Sequence, residues 1–548
     1  MKEVLRRIGT LLLVFVMLVS AVMGCQLKEP KQDTADNDKD LKTEKTTEDS
    51  TYPIDTNVKL TYWMELNSNV ATYYNNMADT PFGKQLVEET GICVEYIHPA
   101  TGQVAEAFNL MVSEKLLPDI IESNWLDYSG GPEKAINDGI IIPLNDVIDK
   151  YCPNLKAYLK ENPEIDAMVK TDDGTYYCFP FIRGGDTLLT SMGLVVREDW
   201  LKELNLEVPE TIEEWENVLT AFKEEKNAGS PFTFQYSLEE FTNNNPWEYA
   251  YGVTGNFYLD NTGNIVYGAV QEEYKEYLQL MNKWLKQGLI DIDLLTLTEE
   301  QVAAKITNGS SGASFGYCGS GMGSWINVGK EIDENYNLVA APYPTLEKGT
   351  KPEMGQRDNN YIGIGSAAIS SSCNNIEMAA KLLDYAYGKE GHKLYNFGEE
   401  GISYELLNDE PNYTKLVLDN PDGISVTHAM GGYTRVNYNG PFVQDEAYVE
   451  QYYMLDSQKE AVRIWADTNM DKHRIPPITP KAKDAQEQSQ IMYDINTYRD
   501  EYAINFIFGT VDFSEWDTYV DTIYNMGLGR VLEIQNDALD RYYKRQTK

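Results

Sequence analysis

Apolar residues change their period several times along this chain, and each change marks an element. Residues 58–63 (Val-Lys-Leu-Thr-Tyr-Trp) alternate apolar and polar, which predicts an opening strand. Thr80-Pro81 then starts a helix, with Thr as cap, Pro at its first position and Phe82, Leu86 and Val87 on one face, until Gly91 ends it. Residues 92–97 read as a strand, 104–116 as a second helix, and 118–121 as the start of another short strand. This alternation predicts an α/β lobe built on a largely parallel sheet. Thr211 and Glu214 form a capping box ahead of Ile212, Trp215, Val218, Leu219 and Phe222 at helical spacing. Residues 272–286 form another helix, closed by Gly288. Asn374 with Glu377 is expected to cap a helix whose Met378, Ala379, Leu382, Leu383 and Ala386 share one face. Near the end, Trp516, Tyr519, Val520, Ile523 and Tyr524 repeat at helical spacing. Gly527 and Gly529 are expected to break that helix before it resumes over 530–544. Aromatic stripes of this kind read as core.

The start of the chain has a different pattern. Lys2, Arg6 and Arg7 precede an almost wholly apolar run over 8–19, and small residues lead to Gly24-Cys25. Basic end, short apolar core and small residues are the parts of an export signal. The run is short for a membrane span, which needs roughly 20 apolar residues. Cys25 resembles the lipobox cysteine of bacterial lipoproteins, which is lipidated and becomes the new N-terminus; Met23 departs from the usual small residue there. Residues 1–24 are therefore expected to be a lipoprotein signal peptide. Residues 25–57, rich in Lys, Asp, Glu and Thr, are expected to be a disordered linker. The expected location is the outer face of the cell membrane, with acyl chains as the only attachment.

About 490 residues remain, too many for one compact core, so at least two lobes are expected. The chain carries a net charge of −40 with 86 acidic residues, which excludes nucleic acid as a partner. Tyr (38) and Trp (9) are plentiful beyond the needs of a core, as a carbohydrate or peptide cleft would require. Apart from Cys25 the cysteines are Cys93, Cys152, Cys178, Cys318 and Cys373, widely spaced, and whether any two pair is left open. Neither these nor the four His residues fall in a metal-ligand spacing, so no metal or cofactor is expected. A phosphate loop, a Gly-x-Ser-x-Gly elbow and kinase signatures are all missing from the sequence, which moves weight from enzyme to binding protein.

Several short runs, in order, resemble the extracellular solute-binding lipoproteins of bacterial carbohydrate ABC importers, the long Gram-positive subgroup distantly related to maltose-binding protein. They are Glu89-Thr90-Gly91-Ile92, Pro118-Asp119-Ile120, Asp138-Gly139-Ile140 with Pro143-Leu144, Gly174-Thr175-Tyr176 with Pro180, and Arg197-Glu198-Asp199-Trp200-Leu201 with Pro209 and Trp215. Later come Gly398-Glu399-Glu400-Gly401 and Phe506-Ile507-Phe508-Gly509. The resemblance implies a two-lobed α/β fold of the periplasmic-binding-protein type II, with a hinge between the lobes and a ligand cleft. It implies crossings near 181–186, 341–343 and 401, hence one lobe from 58–182 and 342–400 and another from 183–341 and 401–548. It implies a monomer that captures an oligosaccharide without altering it and delivers it to ABC transporter permease subunits. Relatives with a calcium loop carry acidic residues where this chain reads Lys-Asn-Ala-Gly-Ser-Pro over 226–231, so calcium is not expected there.

Ligands of open α/β sheets sit outside the carboxyl ends of strands. Aromatic and polar residues just after predicted strands are therefore the candidate ligand-binding set. Trp63 and Glu65 follow the first strand; Asn124, Trp125 and Asp127 follow the third. Arg183 and Asp186 follow the first crossing. Tyr317 and Trp325 flank the glycine-rich 318–324, which reads as either a cleft wall or a surface loop. Arg357 and Asp358 precede a returning strand, and Trp247 and Tyr433 sit in irregular polar stretches. Two other readings stay open: a secreted glycan hydrolase using paired carboxylates, and a peptide-binding or sensory lipoprotein.

Overall fold

The structure, a computed structural model, describes residues 52–234 and 245–546. The expected signal peptide, Cys25 and most of the expected linker lie outside the described residues. The linker's last residues are part of the folded body, contrary to expectation. The Tyr52 hydroxyl donates to the Lys381 carbonyl at 2.7 Å, its ring packs edge-on against Tyr385, and the Ile54 N–H donates to the Thr90 carbonyl.

Two four-stranded sheets organise the chain, each beneath its own apolar core. In the first, Lys59–Trp63 pairs in parallel with Cys93–Ile97 on one side and Ile120–Ser123 on the other, and Ser366–Ile369 adds an antiparallel edge. The parallel pairs of this first sheet agree with the expectation for residues 58–121, whereas the second sheet is mostly antiparallel. Met192–Arg197 lies between Leu338–Ala341 and Ala313–Tyr317, both antiparallel to it, and only the short Phe232–Thr233 runs parallel to its neighbour.

Local chemistry explains most helix ends. The Thr80 side chain accepts the Gly83 N–H, Pro81 sits at the first position, and Gly91 turns left-handed to close Pro81–Thr90. Both halves of the Thr211–Glu214 capping box form ahead of Ile212–Glu225. Two expectations fail. Asn375, not Asn374, caps Ile376–Tyr385, and without a side-chain bond. The final helix, Leu528–Gln546, resumes one residue after Gly527 and runs through Gly529. The glycine run is no free loop. Cys318–Gly323 forms a π-helical turn leading into Ser324–Ile332, and bulky side chains rest on it. A methyl group on Gly316 or Gly319 would lie 2.6 Å from the Trp325 ring or 2.8 Å from the Tyr452 ring, respectively.

The chain passes between the cores at three places that lie close together. Phe181 and Ile182 belong to the first core and Leu188 to the second. Met354 belongs to the second and Tyr361 to the first, so the return crosses near 355–361, later than the expected 341–343. Val443 belongs to the first core and Val449 to the second, so the last crossing lies near 443–449 rather than at 401. Val443–Gln444 pairs in parallel with Ile182–Arg183, and the Arg183 N–H donates to the Asn360 carbonyl, which ties the three crossings together.

Candidate functional site

At the carboxyl edge of the first sheet, strand ends and two loops enclose a cavity of about 160 Å³. The first strand delivers Trp63 and, two residues on, the exposed Glu65. Asn67 caps the next short helix by accepting the Asn69 N–H. Asn124 follows the third strand; Tyr438 and Asn439 come from a loop far along the chain. Two glycines let these walls meet. Gly363 and Gly365 have φ of +85° and +68°, and a Cβ on them would lie 2.1 Å from Asn124 Oδ1 and 2.6 Å from Asn439 Cβ.

A buried ion pair anchors the far wall. Arg435 donates from Nη2 to Glu122 Oε1 at 2.6 Å and from Nη1 to Glu122 Oε2 at 3.0 Å, with both residues almost wholly buried. The Tyr62 hydroxyl donates to the same carboxylate at 2.8 Å. Arg435 also donates to the Asn439 carbonyl and lies 5.2 Å from the Tyr438 ring, so it fixes the two cavity residues of its own loop. Burial opposes the Arg435 charge, but the adjacent Glu122 carboxylate outweighs it, and the guanidinium is held well above its usual range. Behind the first strand, the His98 ring stacks on Tyr96, its Nε2 accepts the Met77 N–H, and its Nδ1 bonds the Met64 carbonyl. Those bonds assign the neutral tautomer, and burial lowers the His98 pKa, so the support under Trp63 and Glu65 carries no charge.

Of the candidate residues, the structure brings Trp63, Glu65 and Asn124 to this cavity. Asp127 accepts a bond from Asn124 Nδ2 at 2.7 Å and faces a neighbouring cavity. Arg183, Asp186, Arg357 and Asp358 pair chiefly with one another. Arg183 meets Asp358 at 2.8 Å, and Arg357 bridges Asp186 and Asp471, each at 2.8 Å. This ion network sits on the crossing strands, so its groups brace the junction instead of lining the cavity. Tyr317, half exposed, ends its strand in the second sheet, and Tyr433 is half-buried near Tyr74 and Glu399.

Three indoles are corrections. Trp125 is fully buried between Phe108 and Tyr128. Trp247 is fully buried, with Trp215, Phe232 and Trp284 all edge-on to it. Trp325 is almost fully buried over Gly316 and Gly321. None is among the residues that line the cavity, and removing the fully buried Trp125 or Trp247 acts on stability, by about 3–5 kcal/mol. Sequence reasoning missed Asn67, Tyr438 and Asn439. The run Arg435-Val-Asn-Tyr-Asn-Gly440, polar and aromatic together after a helix, was the available signal.

The wall is therefore one indole, one phenol, three carboxamides, the Ser123 hydroxyl and two carboxylates, with Val104 and Ile364 as its aliphatic part. No lysine lines it, and its one arginine neighbour is spent on Glu122. Such a surface can cover an apolar face and exchange hydrogen bonds with hydroxyls, while offering an anion no free cation.

Residues 67–393 match the bacterial extracellular solute-binding protein family, and the chain belongs to that family. The fructooligosaccharide ABC transporter substrate-binding protein FusA of Streptococcus pneumoniae is 26% identical over 494 residues, covering 84% of this chain and 86% of FusA. Lipoprotein LipO of Bacillus subtilis is 23% identical over 464 residues, covering 81% of this chain and 85% of LipO. Among solved structures, the alginate-binding protein AlgQ2 without calcium ion superposes with a TM-score of 0.73 at 22% identity, covering 90% of this chain and all of AlgQ2. That likeness shows the fold: a two-lobed α/β solute-binding protein.

Proposed function

We propose that this protein binds a neutral oligosaccharide at the Trp63 cavity and hands it, chemically unchanged, to the permease of an ABC importer. The observation that carries the reading is the wall itself: an indole and three carboxamides at the carboxyl edge of the first sheet, with no free cation. Family membership and the relation to FusA support delivery to a transporter. One lobe is assigned to residues 52–182 and 361–443, the other to 187–234, 245–355 and 448–546, following the two cores. Closure about the three clustered crossings would cover the cavity, a hinge motion of the binding-protein kind.

A thermal-shift panel tests this reading. Fructo- and malto-oligosaccharides are expected to raise the melting temperature with concentration, since binding stabilises by RT ln(1+[L]/Kd). Alginate oligosaccharides, which are anionic, and peptides are expected to leave it unchanged. A shift with peptides alone would favour the peptide-binding reading, and new reducing ends in the incubated glycans would favour a hydrolase.

The membrane attachment is proposed on the same footing. The basic, apolar and small-residue series before Cys25, together with the relation to lipoprotein LipO, supports lipidation at that cysteine. Cys25→Ser is expected to move the protein from the membrane fraction to the medium, or to leave it unprocessed. Unchanged detergent partitioning of the variant would overturn the assignment.

A further inference from the structure

A second cavity, of about 330 Å³, is lined in part by Leu126, Asp127 and Tyr128 of the turn that follows Asn124. One wall is Asp127 and Tyr128, just after the third strand of the first sheet. The other comes from residues 478–489 and from Gln535 on the final helix. The Glu133 carboxylate accepts the Ala482 N–H at 3.3 Å, and Arg541 pairs with Asp172 at 2.6 Å, so direct bonds join the segments that carry the two walls.

The polar lining is neutral apart from Asp127: Thr479, Gln488, Ser489 and Gln535, interleaved with proline and aliphatic side chains. Thr479 is 4% exposed, and its hydroxyl has no partner in the protein. The side-chain oxygen of Gln488 is likewise buried and unpartnered. A buried polar group left unsatisfied is costly, so two in one cavity wall point to a partner that arrives from outside. A sugar hydroxyl both donates and accepts, which suits a threonine hydroxyl and an amide oxygen together. The Asn124–Asp127 hydrogen bond links the two sites, with Asn124 on the Trp63 cavity and Asp127 on this one.

We propose that this cavity is a second carbohydrate subsite, which receives an end unit of a chain whose body lies against Trp63. It rests on the oligosaccharide reading above and adds a consequence of its own: the protein discriminates ligands by length. The test is calorimetry with neutral oligosaccharides of two to six units, from the series that shifts the melting temperature, against wild type, Thr479→Val and Gln488→Leu. Both variants are expected to melt at or above the wild-type temperature without ligand, since each removes an unpartnered group. Both are expected to bind the shortest effective ligand like wild type and to lose roughly tenfold in affinity for longer ones, the loss of a hydrogen-bonded contact. Wild-type affinity at every length, or the same loss at every length, would overturn the subsite and leave the Trp63 site standing. Failure of wild type to bind any member of the panel would instead remove the oligosaccharide reading, and the subsite with it.

Discussion

Arg435→Ala is expected to lower the free energy of unfolding by about 3–5 kcal/mol, because it leaves the Glu122 carboxylate buried without its counter-charge. Glu122 is 7% exposed and would keep only the Tyr62 hydroxyl as a donor. The same substitution removes the donor to the Asn439 carbonyl and the cation beside Tyr438, so the far wall of the cavity loosens as well. Replacing both partners by methionine should cost less than either single change, since no uncompensated charge is then buried. Urea unfolding of Arg435→Ala, Glu122→Met and the double methionine variant measures this directly through their midpoints. An Arg435→Ala midpoint equal to that of wild type would show that the pair does not hold the loop.

Elements with a local cause were legible in the sequence. Thr80, Pro81 and Gly91 carry the start and stop of a helix in their own chemistry, and Thr211 with Glu214 does the same. The second and third crossings were not, because they depend on pairings such as Val443 with Ile182, between segments whose sequences bear no trace of each other. The second sheet's antiparallel order is remote information of the same kind.

The site was half legible for a related reason. Trp63 and Trp125 both follow strands, and sequence position cannot separate them. In the structure one ends its strand at the cavity, while the other opens a tight turn that tucks its ring under Phe108. Charged candidates were misread because a lone Arg or Asp in a loop looks available until its partner is known. Arg357 spans Asp186 and Asp471, residues far apart in the chain, and nothing near Arg357 announces either one.

The larger functional effect is expected at Trp63. Its indole lines the cavity, 5.9 Å from the Phe108 ring behind it, and it is the one candidate indole among the residues of that wall. Stacking uses large apolar area at little entropic cost and leaves the hydroxyls to Asn67, Asn124 and Asn439. Trp63→Ala should therefore cost about 2 kcal/mol or more in binding, at least thirtyfold in affinity. Trp63 is also 5% exposed, so some stability will be lost, and the variant must be titrated well below its own melting temperature.

Isothermal calorimetry of wild type and Trp63→Ala, with one neutral oligosaccharide at low and high salt, tests the central claim most directly. Wild type is expected to show one site, with an affinity nearly independent of salt because screening acts on charge pairs, and the folded variant at least a thirtyfold loss. Equal affinities for the two proteins, or a wild-type affinity that falls steeply with salt, would contradict it.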